Sequence, residues 1–403
     1  MELEEGARRV AFTLREAGFE AYFAGGCVRD LLLGRKAKDF DVATDARPDQ
    51  IERLFRRTLL IGAAFGVVQV RLGGHGYEVA TYRRDVNYVD GRRPEAVQYS
   101  TSKEEDVERR DFTINALLMD PETREVLDFV GGKDDIVARQ IRAVGDPEAR
   151  FAEDRLRMLR AVRFATRFDF EIEPKTAEAI RAHADALGVV SHERILQELE
   201  GIFESDHPAE GVRRLEALGL AKPALPFLPD DASTRRGLYD AVKQARLAER
   251  PVELRTELAF ALLFGAASTR AAEAALRDLR ASRKLMRAVD ELLDLRSVLD
   301  QPDAHRPAEL ARIALDRDAE RVDAFARGRG CGDVADRLDE IRRSVRADPL
   351  PPRPVLTGGD LAQRGFSPGP RFKEMLQEVD DRVLERRIRS RDDALAFIRQ
   401  QGG

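Results

Sequence analysis

Asp39 and Asp41 stand one residue apart in Asp39-Phe40-Asp41-Val42-Ala43, a stretch whose polar and apolar residues alternate as in a half-buried strand. Side chains two apart on a strand share a face, so both carboxylates would project into one space. Paired carboxylates on a rigid strand form a donor set for Mg²⁺ shared with substrate phosphates. Two ions held this way would activate an attacking hydroxyl and stabilise a leaving pyrophosphate. Just upstream, Gly25-Gly26-Cys27-Val28-Arg29-Asp30 follows the short apolar run Ala21-Tyr22-Phe23-Ala24. Two glycines between a strand and a helix start let backbone N–H groups approach a phosphate, and Arg29 adds a planar donor fork suited to triphosphate oxygens. An isolated Asp-x-Asp or Gly-Gly pair is usually a strand end or a turn; the combination in this order points to metal-dependent chemistry on a nucleotide.

The elements that must position these groups are legible around them. Val10, Leu14 and Ala17 mark an amphipathic helix ahead of the first strand, and Val28 to Leu33 a helix stopped at Gly34. Val67 to Leu72 and Tyr77 to Thr81 flank Gly73-Gly74-His75-Gly76, the signature of a hairpin. Residues 1–145 therefore read as mixed α/β. Beyond about residue 146, stretches rich in Ala, Leu, Arg and Glu with helical period take over. Two proline clusters punctuate them: Pro223, Pro226 and Pro229, and then Pro349, Pro351, Pro352 and Pro354, the second read as a domain linker.

A second chemical motif lies in the stretch Glu153-Asp154-Arg155-Leu156-Arg157-Met158-Leu159-Arg160-Ala161-Val162-Arg163, which predicts one continuous helix. Asp154, Arg157, Arg160 and Arg163 recur every third residue as a winding stripe, with Leu156, Leu159, Val162 and Ala165 on another side to pack. Such a stripe serves as readily as an ion-paired solvated face. As a binding face it does something more specific. Asp154 can accept from an exocyclic amine while Arg157 donates to the adjacent ring nitrogen, an edge shared by cytosine and adenine and reversed in uracil and guanine. A wrong base would leave buried polar groups unpaired.

The run from Gly25 to Asp41 resembles the nucleotidyltransferase motif of the polymerase-β superfamily, and more narrowly that of class II CCA-adding enzymes and bacterial poly(A) polymerases. Four later segments continue the resemblance, which covers most of the first 205 residues. They are Arg109-Arg110-Asp111-Phe112-Thr113-Ile114-Asn115-Ala116, Asp128-Phe129-Val130-Gly131-Gly132-Lys133-Asp134-Asp135, the Asp154 stripe, and Ser191-His192-Glu193-Arg194-Ile195-Leu196-Gln197-Glu198-Leu199. The resemblance implies a polymerase-β-like α/β head followed by an all-α neck, body and tail, predominantly helical overall. The expected boundaries are 1–145, 146–205, 206–348 and 349–403. It implies that Asp39 and Asp41 hold Mg²⁺ and that Gly26, Arg29, Arg160 and Arg163 hold the triphosphate. Arg110 and Asp111 would meet the ribose, and Asp154 and Arg157 would read the base. Alone, Arg110 and Asp111 would serve equally as a surface ion pair. In the Asp128 segment Asp135 is expected to cap the stretch of chain after it. In the last segment, Ser191 is expected to cap a helix that braces the base-reading one.

The same resemblance makes tRNA, through its 3′ end and its elbow, the expected partner, with ATP and CTP as substrates. The polar segment between Tyr82 and Thr101, broken by Gly91 and Pro94, corresponds to a flexible loop needed for adding the terminal A. Its full length disfavours an enzyme that adds only CC and leaves CCA-adding and A-adding both open. Leu356-Thr357-Gly358-Gly359-Asp360-Leu361 and the helix with Phe372, Leu376, Val379 and Val383 resemble the tail that meets the tRNA elbow. The arginines around residues 382–391 would add phosphate contacts or form a solvated face.

Composition bounds the rest. The chain has 403 residues, 43% hydrophobic and 35% charged, with a net charge of −5. An isoelectric point near 5.8 and the lack of a basic extension before Gly403 speak against a poly(A) polymerase acting on any RNA. The intact Asp39 and Asp41 pair speaks against a catalytically silent RNA-binding relative. Two cysteines, Cys27 and Cys331, give no disulfide framework and no zinc spacing. No signal-peptide pattern comes after Glu2, Glu4 and Glu5, and the run Leu258 to Ala267 is too short to span a bilayer, so it reads as a buried helix and the expected compartment is the cytosol.

Overall fold

The computed structural model describes residues 1–62, 66–88, 94–367 and 369–401. Its contacts divide the chain into two compact units, Met1–Pro226 and Phe227–Gly403.

The first unit opens with helix α1 (Leu3–Glu16), whose Val10, Ala11 and Leu14 are fully buried. It continues with β1 (Ala21–Ala24), α2 (Gly26–Leu32), β2 (Asp41–Thr44), α3 (Pro48–Leu54), β3 (Thr58–Gly62), β4 (Val67–Leu72) and β5 (His75–Thr81). Then come β6 (Arg83–Tyr88), β7 (Pro94–Tyr99), α4 (Lys103–Glu108), a 3₁₀ turn (Thr113–Asn115), β8 (Leu117–Met119), β9 (Val126–Asp128) and α5 (Gly132–Ala138). Seven strands form one mixed sheet in the order β3-β4-β5-β2-β1-β8-β9. β1 and β2 are antiparallel with Ala24 opposite Asp41, so the glycine turn after Ala24 emerges beside that aspartate. β2 and β5 are parallel with Val42 opposite Val79. β4 and β5 form the hairpin expected around Gly73 and Gly74. The segment after Tyr82 is a second hairpin, with Arg83 opposite Tyr99 and Tyr88 opposite Pro94. The stretch 89–93, which holds Gly91, lies outside the described residues.

The expected single helix over Glu153 to Arg163 is interrupted. α6 (Pro147–Glu153) ends at Asp154, whose backbone is extended (φ −146°, ψ 106°), and α7 (Arg157–Phe168) begins afresh. The Asp154 carboxylate accepts from the N–H of Leu156 at 3.1 Å. A short acidic side chain competes in this way for backbone donors and opens a helix rather than continuing one. The apolar side of the stretch behaves as expected: Leu159, Val162 and Ala165 are fully buried and Leu156 nearly so. α7 packs on α9 (His192–Phe203), and α8 (Pro174–His183) and α10 (Pro208–Ala217) complete this helical layer.

Two capping expectations are corrected. Asp128, not Asp135, caps α5: its carboxylate accepts from the backbone N–H groups of Val130, Gly131, Gly132 and Lys133 at 2.8–3.1 Å. Asp135 lies within α5, buried, bonded by the Thr113 hydroxyl at 2.6 Å and by Arg142. Ser191 precedes α9 as its N-cap residue, but its hydroxyl makes no capping bond; its backbone carbonyl accepts from Arg194 and Ile195 instead.

The second unit is helical throughout its described residues. The helix Val252–Leu263 is buried from Leu258 to Leu263, as a helix apolar on all sides must be. Leu356, Leu361, Met375, Val379, Val383, Ile388, Ala394 and Ile398 form one apolar cluster against which Phe372 and Leu376 pack, as their spacing predicts. Leu350, within the second proline cluster, packs against this cluster and against that of Ala308, Ala311 and Leu384. The break in packing therefore falls at the first proline cluster. No helix among the described residues is long and apolar enough to cross a membrane.

Candidate active site

A cleft of about 550 Å³ in the first unit is lined by all ten side chains or backbones singled out in the sequence: Gly26 and Arg29, Asp39 and Asp41, Arg110 and Asp111, and Asp154, Arg157, Arg160 and Arg163. The floor follows from strand register. Asp41 opens β2, and Asp39 sits in the irregular stretch just ahead of it rather than on the strand itself. Glu78 precedes Val79 as Asp41 precedes Val42, so the parallel pairing of β2 and β5 sets a third carboxylate beside the pair. Burial pushes the Asp41 carboxyl up, and the negative charges of Asp39 and Glu78 push it further, to about 7. Glu78 was not found from sequence, because strand register across the sheet is not written in local pattern. Carboxylate oxygens that raise one another's affinity for a proton are a donor set suited to a hard divalent cation. Among the described residues no three acidic, histidine or cysteine side chains enclose an ion by themselves. An ion at Asp39 and Asp41 would therefore take its remaining ligands from phosphate and water, as Mg²⁺ commonly does.

At the mouth of the turn, Gly25 has φ +72°, and a Cβ there would stand 2.9 Å from Nη1 of Arg110. Glycine thus permits both the left-handed turn and the approach of that arginine. Arg29 lines the cleft, yet its donors are already engaged. Nε and Nη2 bond Asp30 at 2.9 and 2.7 Å, Nη1 bonds Asn115, and the guanidinium stacks 4.5 Å from the Phe168 ring centroid. Burial lowers its pKa despite Asp30.

The Arg-Arg-Asp segment is equally well held. Asp106, buried, takes Arg109 at 2.6 Å and Arg110 at 3.0 Å. Asp111 accepts four bonds: Oδ1 from the Phe112 N–H and the Asn115 amide, Oδ2 from Arg160 Nε and Nη2 at 2.8 and 2.6 Å. Burial alone would push this carboxyl up, but Arg160 and Asn115 outweigh it and hold it at about 2. A ribose hydroxyl at Asp111 must therefore displace one of these donors.

The helical wall carries the rest. Arg194 of α9 grips both oxygens of Asp154. Arg157 bonds Glu153 at 2.6 Å and the carbonyls of Arg150 and Arg109 at 3.1 Å each. Arg163 bonds Glu198 at 2.5 Å, and Arg160 lies 3.7 Å from the same residue. The segment 191–199 thus braces the Asp154 stripe, as expected, with Arg194 and Glu198 as the side chains that do so. The cleft is lined by nine basic and six acidic side chains, an excess that suits a polyanion. Arg109, Asn115, Lys38 and Arg167 line it without having been singled out as site residues. Asn115 and Arg109 fall inside the quoted motif, but Lys38 and Arg167 carry no signal beyond their neighbours.

Residues 21–142 match the family model of the poly(A) polymerase head domain, and residues 254–398 that of tRNA nucleotidyltransferase domain 2. The chain is 35% identical over 398 residues to the CCA-adding enzyme of Levilactobacillus brevis, covering 97% of this chain and 96% of that protein. It is 37% identical over 354 residues to the CCA-adding enzyme of Geobacillus thermodenitrificans, covering 87% and 83%. The crystal structure of the Bacillus stearothermophilus CCA-adding enzyme in complex with CTP matches with a TM-score of 0.80 at 29% identity, over 100% of this chain and 99% of that one. With the head fold and the cleft in place, these likenesses along nearly the whole chain settle its kinship: it is a nucleotidyltransferase and belongs to the family of CCA-adding enzymes.

Proposed function

We propose that this chain adds or repairs the 3′-terminal CCA of tRNA, taking CTP and ATP as substrates and releasing pyrophosphate, in the cytosol. The observation that carries the reading is that Asp154 and Arg157 line the same cleft as Asp39 and Asp41. A carboxylate and a guanidinium in one cleft complement the amine-and-acceptor edge of C and A, and the acidic pair would take the α-phosphate through its metal. Arg110 and Asp111 would meet the ribose, where contact with the 2′-hydroxyl separates ribo- from deoxyribonucleotides. Gly26, Arg160 and Arg163 would face the triphosphate, with Arg29 joining them by giving up its Asn115 bond. Each of these arginines has a partner inside the protein, which keeps its orientation fixed before the nucleotide arrives.

Mg²⁺ at Asp39 and Asp41 would polarise the attacking 3′-hydroxyl and offset the charge of the departing pyrophosphate. We assign catalysis to the head, 1–145, base recognition to the neck, 146–205, and tRNA binding to the tail, 349–403, which would take the elbow, with the body, 206–348, between them in sequence. In the tail, Arg382, Arg386 and Arg391 are each paired with an acidic residue, so phosphate contacts there would compete with Glu378, Asp348 and Asp360.

The test uses three tRNA transcripts, ending before CCA, after C and after CC, each supplied with single labelled nucleoside triphosphates and with the mixture. Ordered addition of C, C and A that then stops is the expected result. A single A added only to the CC-ended transcript would make this an A-adding enzyme. Long A tails on unrelated RNA would replace the reading with a poly(A) polymerase.

A further inference from the structure

The cations of the cleft are not equivalent. Seven arginines along it each have a carboxylate oxygen within 3.0 Å. Two cations stand outside this pattern. The nearest carboxylate oxygen to Arg167 is Asp30 Oδ2 at 3.9 Å, and Asp30 is already taken by Arg29 at 2.7 Å. Lys38 is exposed at the cleft and makes no ion pair or hydrogen bond among the described residues.

Their positions share a logic. An α-helix rises 1.5 Å per residue, so Arg167 lies about 15 Å along α7 from Arg157, beyond Arg160 and Arg163. Lys38 immediately precedes Asp39. A nucleotide laid with its base at Asp154 and Arg157 and its α-phosphorus at Asp39 and Asp41 would run its distal phosphates away from the base-reading end, and Arg167 lies at that other end, sharing Asp30 of α2 with Arg29 beside the glycine turn. An arginine held by a carboxylate at 3.0 Å or less offers a phosphate only its remaining N–H groups, whereas Arg167, with its nearest carboxylate oxygen at 3.9 Å, and Lys38 have more of theirs to give.

We propose that Arg167 and Lys38 form the seat of the γ-phosphate and, after transfer, of the leaving pyrophosphate; this rests on the function proposed above. In the step they serve, the RNA 3′-oxygen bonds to the α-phosphorus and its proton passes to solvent. The bond from that phosphorus to the bridging oxygen breaks, and its electron pair departs with the pyrophosphate. Negative charge thus grows on the group these two cations face.

The experiment compares the wild type with Arg167→Ala, Lys38→Ala and Arg167→Lys, measuring binding of CTP and of CMP with Mg²⁺ present, pyrophosphate inhibition of C addition, and KM for the tRNA transcript. Each alanine variant is expected to weaken CTP binding and pyrophosphate inhibition by about tenfold, the scale of one charge-assisted hydrogen bond. CMP binding and KM for tRNA should stay unchanged, and Arg167→Lys should recover part of the loss. Equal weakening of CTP and CMP would overturn the seat, as would a raised KM for tRNA with CTP binding intact, which would assign these cations to RNA phosphates. If the wild type itself adds no C, the function proposed above fails. If it adds C and the variants keep the full difference between CTP and CMP, only the seat fails.

Discussion

Arg194 holds Asp154 by both oxygens, Nη1 to Oδ1 at 3.2 Å and Nη2 to Oδ2 at 2.7 Å. Asp154 has left the helix, so no helical neighbour fixes its side chain; the clamp from α9 and the N–H of Leu156 do. An oriented acceptor discriminates between an amine and a carbonyl, and a swinging one does not. Arg194→Ala is therefore expected to lower the preference for CTP over UTP about tenfold or more. Arg194→Lys, which keeps the charge but not the fork, should fall between. The ratio of kcat/KM for CTP to that for UTP is the measurement, and an unchanged ratio would remove Arg194 from base selection.

Arg157 ties three elements together, bonding Glu153 at the end of α6, the carbonyl of Arg150, and the carbonyl of Arg109 at the end of α4. Arg157→Ala should then act twice, through the lost donor to the ring nitrogen and through the loosened wall. The expected outcome is a fall in kcat/KM for CTP of about a hundredfold, with the residual incorporation less biased against UTP and GTP. Normal C and A selectivity in the variant would refute the base-reading role.

Asp41 sets catalysis against stability. Asp39→Ala or Asp41→Ala should abolish incorporation while tRNA binding stays nearly intact. Without a cation, Asp41 is held up at about 7 by burial and by Asp39 and Glu78, against an ordinary 3.8. The folded state thus keeps a proton that the unfolded chain releases, and the metal-free protein loses stability as pH rises from about 4 to 7, with the full penalty above 7. Asp41→Asn removes that penalty. It should be more stable than the wild type at pH 8 in a chelator, on the order of 2–4 kcal/mol, and not at pH 4. Denaturant melts at the two pH values decide it; equal differences at both would mean that neither burial nor the charges of Asp39 and Glu78 hold the Asp41 carboxyl up.

The local parts of this site were legible, because Gly25-Gly26 to Asp41, Arg110-Asp111 and the Asp154 stripe each carry their chemistry within a few residues. What the sequence hid was pairing at a distance. Glu78 meets Asp41 only through the register of β2 and β5. Glu198 and Arg194 reach Arg163 and Asp154 only because α9 packs on α7. The break at Asp154 was masked by strong helix formers on both sides, and its cause is a side-chain bond that propensity does not count. The misassigned cap of α5 had a readable signal: Asp128 precedes a Gly-Gly turn, which an aspartate at that distance can fold back to cap.

Gly132 tests how tightly that turn supports the site. A Cβ on Gly132 would fall 2.2 Å from the carbonyl oxygen of Thr113, a backbone atom that cannot move aside as a side-chain tip can. Thr113 is pinned in turn by its hydroxyl bond to Asp135 at 2.6 Å and by its N–H to the carbonyl of Arg142 at 2.9 Å. Its turn presents Asn115 to Arg29 and Asp111. Gly131 next to it has φ +80° and open space around its Cβ position, so alanine there meets only backbone strain. Gly131→Ala should cost about 1 kcal/mol. Gly132→Ala should cost roughly 2–3 kcal/mol by overpacking and, by displacing Asn115, should also raise KM for CTP. Thermal melts of the two variants side by side make the comparison. A Gly132→Ala protein as stable as Gly131→Ala would show that α5 can draw back from Thr113, and that Asn115 is positioned without it.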